Sequence, residues 1–107
     1  MLKQELQVTW VCRNLWNFYA LDFKSVEALD HFTKIILQNS DKLGERDVAN
    51  SVKAFAYFEY FDYDCLELLL KWSIRNALKI RPFSLAVTVD AFTQLEVYNQ
   101  SLFNVTK

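Results

Sequence analysis

Val48-Ala49-Asn50-Ser51-Val52-Lys53-Ala54-Phe55-Ala56-Tyr57-Phe58-Glu59-Tyr60 is the stretch from which the fold can be read. Val48, Val52, Phe55 and Phe58 fall at i, i+4, i+7 and i+10, which is one apolar face of a 3.6-residue helix. The same face stands 37 residues earlier as Val11, Leu15, Phe18 and Leu21, and 37 residues later as Leu85, Val89, Phe92 and Leu95. Phe23, Tyr60 and Val97 share a column, as do Cys12, Ala49 and Ala86, and Asn14, Ser51 and Thr88. An acid closes each copy: Asp22, Glu59 and Glu96. Six of the thirteen aligned columns are apolar in all three copies, where composition alone would give about two. Helical periodicity inflates that contrast, because 37 residues is close to a whole number of turns. The recurring Phe and the recurring acid do not follow from periodicity, so the pattern reads as an internal repeat.

The totals agree with helices. The 107 residues suffice for one domain with one modest core. Aromatic residues make up 16%, yet there is one Gly and one Pro, too few turn formers for a β-sandwich. A net charge of −1 supplies no long-range field to attract nucleic acid or an anionic membrane. Cys12 and Cys65 lie inside helical patterns and read as small buried hydrophobes of a reducing compartment. No apolar run approaches the roughly 18 residues of a membrane span, and the first residues resemble neither a signal peptide nor an organellar presequence. An intracellular chain that does not engage membrane is expected.

Outward from the central stretch, the corners predict paired helices. A first helix is expected over about residues 5–22. Ser25 then caps a second helix reaching Gln38, with Val26, Leu29, Phe32 and Ile36 facing inward. The polar break from Asn39 to Gly44 precedes a third helix over about 45–60. Asp62 caps a fourth reaching about Lys79, with Leu66, Leu69, Leu70, Ile74 and Leu78 inside. Pro82 suits the first turn of a fifth helix, expected to end near Val97, with Asn99 capping a sixth. The expectation is an all-α domain, an α-solenoid of about two and a half stacked hairpins. Its repeats cover about residues 8–44, 45–81 and an incomplete 82–107. An incomplete third unit leaves apolar surface bare, as in a segment of a longer array or a chain whose open end docks on a partner.

Within each unit, the order small residue, apolar, Ala-Phe, then apolar-acid resembles the heptatricopeptide and octotricopeptide arrays of RAP-domain and FAST-kinase-domain-like organellar proteins. Val48-Ala49, Val52, Ala54-Phe55 and Phe58-Glu59 carry the resemblance. Leu85-Ala86, Val89, Ala91-Phe92 and Leu95-Glu96 match them, and Val11-Cys12, Leu15, Phe18 and Leu21-Asp22 do so more loosely. The resemblance implies organellar RNA handling, mostly mitochondrial or chloroplast: transcript stabilisation, processing, or packing against ribosomal RNA in a ribonucleoprotein.

With Val11, Leu15 and Phe18 turned inward, Arg13, Trp16 and Ala20 point away, matched by Asn50, Lys53 and Tyr57 and by Val87, Asp90 and Gln94. In helical-repeat RNA binders the first helices line the inner surface and offer side chains to bases. Arg13, Trp16, Asn50, Lys53, Tyr57 and Gln94 are the candidate base-contacting residues, and a solvated face with no such role is the bland alternative. Lys71, Arg75 and Lys79, at i, i+4 and i+8, with Arg81 following, are the candidate phosphate contacts. Helix dipoles alone would also draw bases to that end. Catalysis finds little footing. His31 is alone and reads as a partly buried side chain, while no metal-ligand spacing or glycine-rich phosphate loop is present, so no enzyme, metal or cofactor is expected. The expected partners are RNA and other protein subunits or further repeats. The competing expectation is a protein–protein scaffold that never touches RNA.

Overall fold

Where short polar corners separate amphipathic segments, the chain folds into α1 (Leu2–Leu21), α2 (Val26–Gln38), α3 (Glu45–Tyr57), α4 (Tyr63–Arg75) and α5 (Pro82–Thr106). A single 3-10 turn, Ser40–Lys42, bridges α2 and α3. This computed structural model describes the backbone of residues 2–106 and the side chains of residues 7–96. No strand occurs among the described residues. The radius of gyration is 13.4 Å, about the 13 Å of a globular domain this long. The protein is a compact all-α domain.

α3 is the hub. It packs along α1 on one side and α5 on the other, and α4 folds back onto it. α2 returns on α1 in the same way, and α2 and α4 also touch. Two helices can approach α3 closely because it is built from small side chains, with Ala49, Ser51, Ala54 and Ala56 all buried beside Val48, Val52, Phe55 and Phe58. The face read from the sequence is therefore wholly buried in α3. In α1 the buried set is Val8, Val11, Cys12 and Leu15, and Leu21 is exposed. In α5 the buried positions are Thr88, Ala91 and Leu95, while Val89 stands open at 55%. A terminal helix of such a row has one neighbour fewer, so the repeated sequence face is only partly used.

The two hairpins close with the same corner. Asp22 and Glu59 both adopt a left-handed backbone, φ 53°. The Phe23 N–H donates to the Phe18 carbonyl at 2.9 Å, and the Asp22 N–H to Tyr19 at 3.1 Å. Tyr60 and Glu59 repeat these bonds onto Phe55 and Ala56 at 2.9 and 3.2 Å. Each is a Schellman end, with its customary contact between the residue past the turn and the one five before it. The rings of Phe18 and Phe23 lie 5.3 Å apart, those of Phe55 and Tyr60 5.5 Å. Three residues past each left-handed residue comes the next cap: Ser25 Oγ accepts from the Ala28 N–H and Asp62 Oδ1 from the Cys65 N–H. The recurring Phe and acid are thus the two halves of one turn.

Several expectations are corrected. α5 runs unbroken to Thr106, so the corner expected near Val97 and Asn99 does not form, and two hairpins plus one long helix replace two and a half hairpins. Val97 stands where Phe23 and Tyr60 stood, and a valine has no ring to stack on Phe92 in return for the strained turn. α4 stops at Arg75 rather than Lys79, because the Asn76 side chain donates to the Trp72 carbonyl at 2.8 Å and a tight turn follows. With the helix ended, Ile74 and Leu78 are exposed and Ile80 anchors the connection instead. Leu70, also expected inside, is 42% exposed. Val26, in the first turn of α2, faces outward. His31 is exposed, not partly buried, its ring lying 6.3 Å from that of Phe32 on the same helix. Cys12 and Cys65 are buried free thiols, as expected.

Candidate binding groove

The outward stripes of α1, α3 and α5 run side by side and enclose a groove of about 410 Å³. α1 contributes Arg13 and Trp16; α3 contributes Arg46, Ala49, Asn50 and Lys53; α5 contributes Phe83, Ser84 and Val87. Three of these nine are basic and none is acidic. Trp16 is 40% exposed and Phe83 81%, so aromatic faces are offered at opposite walls. Asn50 adds a neutral hydrogen-bonding group between them, while the Ser84 hydroxyl is bonded to the Glu45 carboxylate.

One side of the groove is stiffened by rings. Tyr19 packs against Trp16 at 5.0 Å and edge-on to Tyr57 at 4.9 Å. The Lys53 ammonium lies 5.4 Å from the Tyr19 ring centre, within cation–π range. The Tyr57 hydroxyl donates to Asp22 Oδ1 at 2.8 Å, and that carboxylate pushes the phenol upward. The bond ties α3 back to the corner after α1. Asp47 is half-buried beside Arg13; burial raises its carboxyl, while the Gly44 N–H and Arg13 pull the other way.

The six candidate base contacts separate into two groups. Arg13, Trp16, Asn50 and Lys53 line the groove together. Tyr57 lies outside the lining, engaged with Asp22 and the ring cluster. Gln94 lies farther along α5, its amide donating to Asp90 at 3.2 Å. Arg46 and Phe83 were missed, although they occupy one column 37 residues apart, one turn before Asn50 and Val87. Extending the outward stripe by a turn would have found them. Tyr19 had no such signal, since it lies off that stripe.

None of the four candidate phosphate contacts lines the groove. Lys71 pairs with Glu67 at 2.8 Å, within α4. The Arg81 guanidinium pairs with Glu45 at 3.0 Å and holds that carboxyl below its ordinary range. Arg75 ends α4 and Lys79 sits in the turn beyond it, so the i, i+4, i+8 row does not continue along one helix.

In the core between α1 and α3, the Ser51 hydroxyl lies 3.1 Å from Cys12 Sγ and donates to the Asp47 carbonyl at 2.7 Å. Burial pushes both Cys12 and Cys65 up to about 12, which keeps them as thiols at neutral pH. Among the described residues no cluster of His, Cys, Asp and Glu is arranged to hold a metal, and no helix is long and apolar enough to cross a membrane. The chain matches no protein-family model, no curated protein and no solved structure.

Proposed function

We propose that this chain is a non-catalytic helical-repeat module that holds single-stranded RNA in the groove across α1, α3 and α5. One observation carries the reading: in a chain of net charge −1, that groove gathers Arg13, Arg46 and Lys53 with no acid among its lining residues. Guanidinium and ammonium groups neutralise phosphates, and exposed rings such as Trp16 and Phe83 offer stacking faces to unpaired bases. The identical corners, 37 residues apart, support a solenoid-type repeat behind it. Given the resemblance of that repeat to organellar arrays, the proposed setting is mitochondrial RNA metabolism, in a ribonucleoprotein such as an organellar ribosome.

The test is the salt dependence of binding to a fluorescent oligouridine. Each single-strand phosphate neutralised adds about −0.7 to the slope of log K against log salt, so removing three cations should flatten it by about 2. Between about 50 and 200 mM salt that is roughly a twentyfold difference in how much affinity is lost. If Arg13→Ala/Arg46→Ala/Lys53→Ala binds with the parent's slope, the groove does not hold RNA. A second reading, a protein–protein scaffold without RNA contact, is favoured by a different surface, the apolar cleft between α4 and α5.

A further inference from the structure

On the far side of α5 a second depression, of about 420 Å³, opens between that helix and α4. Leu66, Phe92 and Leu95 line it from the core side, and Leu70 and Tyr63 stand at its α4 wall. Its charged members are two carboxylates, Glu67 on α4 and Glu96 on α5, and Tyr63 adds a hydroxyl. Its position in the fold says what shape belongs there. Phe55 on α3, the counterpart of Phe92, is buried at 1% in the helix onto which α4 folds back, whereas Phe92 is only partly buried; Leu95, like its counterpart Phe58, is already covered. On the other layer, α2 is flanked by α4, and its Thr33 is 2% exposed, whereas the matching residue of α4, Leu70, is 42% exposed. The cleft therefore lies where a helix would extend the α2–α4 row. Both walls are helices, whose backbone groups are already bonded within each helix, so an extended peptide would find no sheet edge to pair with.

We infer that this cleft docks an amphipathic α-helix of another protein, apolar on the seated face and basic along its flanks. Anchors at i, i+3 or i+4, and i+7 would enter the floor. Lysines or arginines beside them would meet Glu67 and Glu96 at the lips, where Lys71 now neutralises Glu67 in part. An acidic helix would bring like charges together at both lips. The site is separate from the RNA groove: no residue lines both.

Two synthetic helical peptides with the same leucine face test it, one flanked by lysine and one by glutamate, titrated into the whole chain and followed by fluorescence anisotropy and amide shifts. The lysine peptide should bind one-to-one and shift amides of residues 61–70 and 92–96, with the glutamate peptide about tenfold weaker or worse. Leu70→Lys should weaken the lysine peptide by about tenfold, since it sets a cation in the seat. Its helicity should match the parent's, because Leu70 is already 42% exposed. Glu67→Gln/Glu96→Gln should narrow the gap between the two peptides. Equal binding of both peptides, or parental binding by Leu70→Lys, overturns the proposal. So does self-association of the parent that Leu70→Lys abolishes, which would make the occupant another copy of this chain.

Discussion

Glu59→Gly should stabilise this protein, although it removes a side chain and adds flexibility. Glu59 holds φ at 53°, in the left-handed region. An L-residue with a Cβ pays about 1–2 kcal/mol to stay there. Glycine escapes that cost but loses about 0.5–1 kcal/mol more backbone entropy on folding. The difference favours glycine by about 0.5–1 kcal/mol, which for a domain of this size raises Tm by about 2–8 °C. Asp22 occupies the same conformation, but Asp22→Gly should gain less. Aspartate tolerates the left-handed region better, and its carboxylate also receives the Tyr57 hydroxyl at 2.8 Å, a bond the substitution forfeits. Glu59→Ala is the control, because it removes the charge and keeps the strain. Urea and thermal unfolding followed by far-ultraviolet circular dichroism should rank Glu59→Gly above Asp22→Gly, with Glu59→Ala showing no gain. If Glu59→Ala stabilises as much as Glu59→Gly, repulsion and not backbone strain was being relieved, and the corner argument fails.

Phe55→Ala should cost about 3–5 kcal/mol, much of the 5–15 kcal/mol typical of a domain, whereas Phe92→Ala should cost well under half as much, because water already reaches the cleft beside Phe92; equal losses in denaturant melts would show that the two positions share one environment. Ser25→Ala and Asp62→Ala should each cost about 1 kcal/mol, since both side chains accept the same type of N-terminal N–H, and a loss at only one of them would break the equivalence of the corners. Burial holds Cys12 and Cys65 up near 12 from an ordinary 9.0, so the folded state keeps these protons longer than the unfolded chain does. Their stabilisation is complete below pH 9 and drains away as pH rises toward 12. Cys12→Ala/Cys65→Ala should therefore lose stability less steeply above pH 9 than the parent, and parallel pH profiles would contradict the burial account.

The helices and the caps at Ser25 and Asp62 were legible because local chemistry sets them: periodicity and side-chain acceptors. The corners were half legible. The recurring acid was visible, but a left-handed turn is usually announced by glycine, and here an aspartate and a glutamate carry it with an aromatic pair in support. What failed was decided by neighbours. Leu70, Ile74 and Leu78 keep the apolar spacing of Leu66, yet they are exposed, because burial needs an opposing surface that the sequence does not display. Likewise Lys71 and Arg81 looked like free phosphate contacts until Glu67 and Glu45 were found beside them. Arg46 and Phe83 show the converse, since residues in separate helices became one wall only when α3 and α5 packed.

The same packing explains why both candidate surfaces depend on α5. Its first turns, with Phe83, Ser84 and Val87, form a wall of the cationic groove, while Phe92 and Leu95, farther along, line the apolar cleft. Between them Thr88 and Ala91 are buried, and the axis of α5 is held by the small residues that let α3 approach. A rigid helix fixed in this way can carry two sites without joining them. Because the groove lining and the cleft lining have no residue in common, a charge placed at Leu70 acts on one and is remote from the other. The packing therefore requires Leu70→Lys to lose the lysine-flanked peptide while keeping the parent's salt slope on oligouridine. If both properties fell together, α5 would be shifting as a body, and its seat on α3 would be softer than its buried contacts imply.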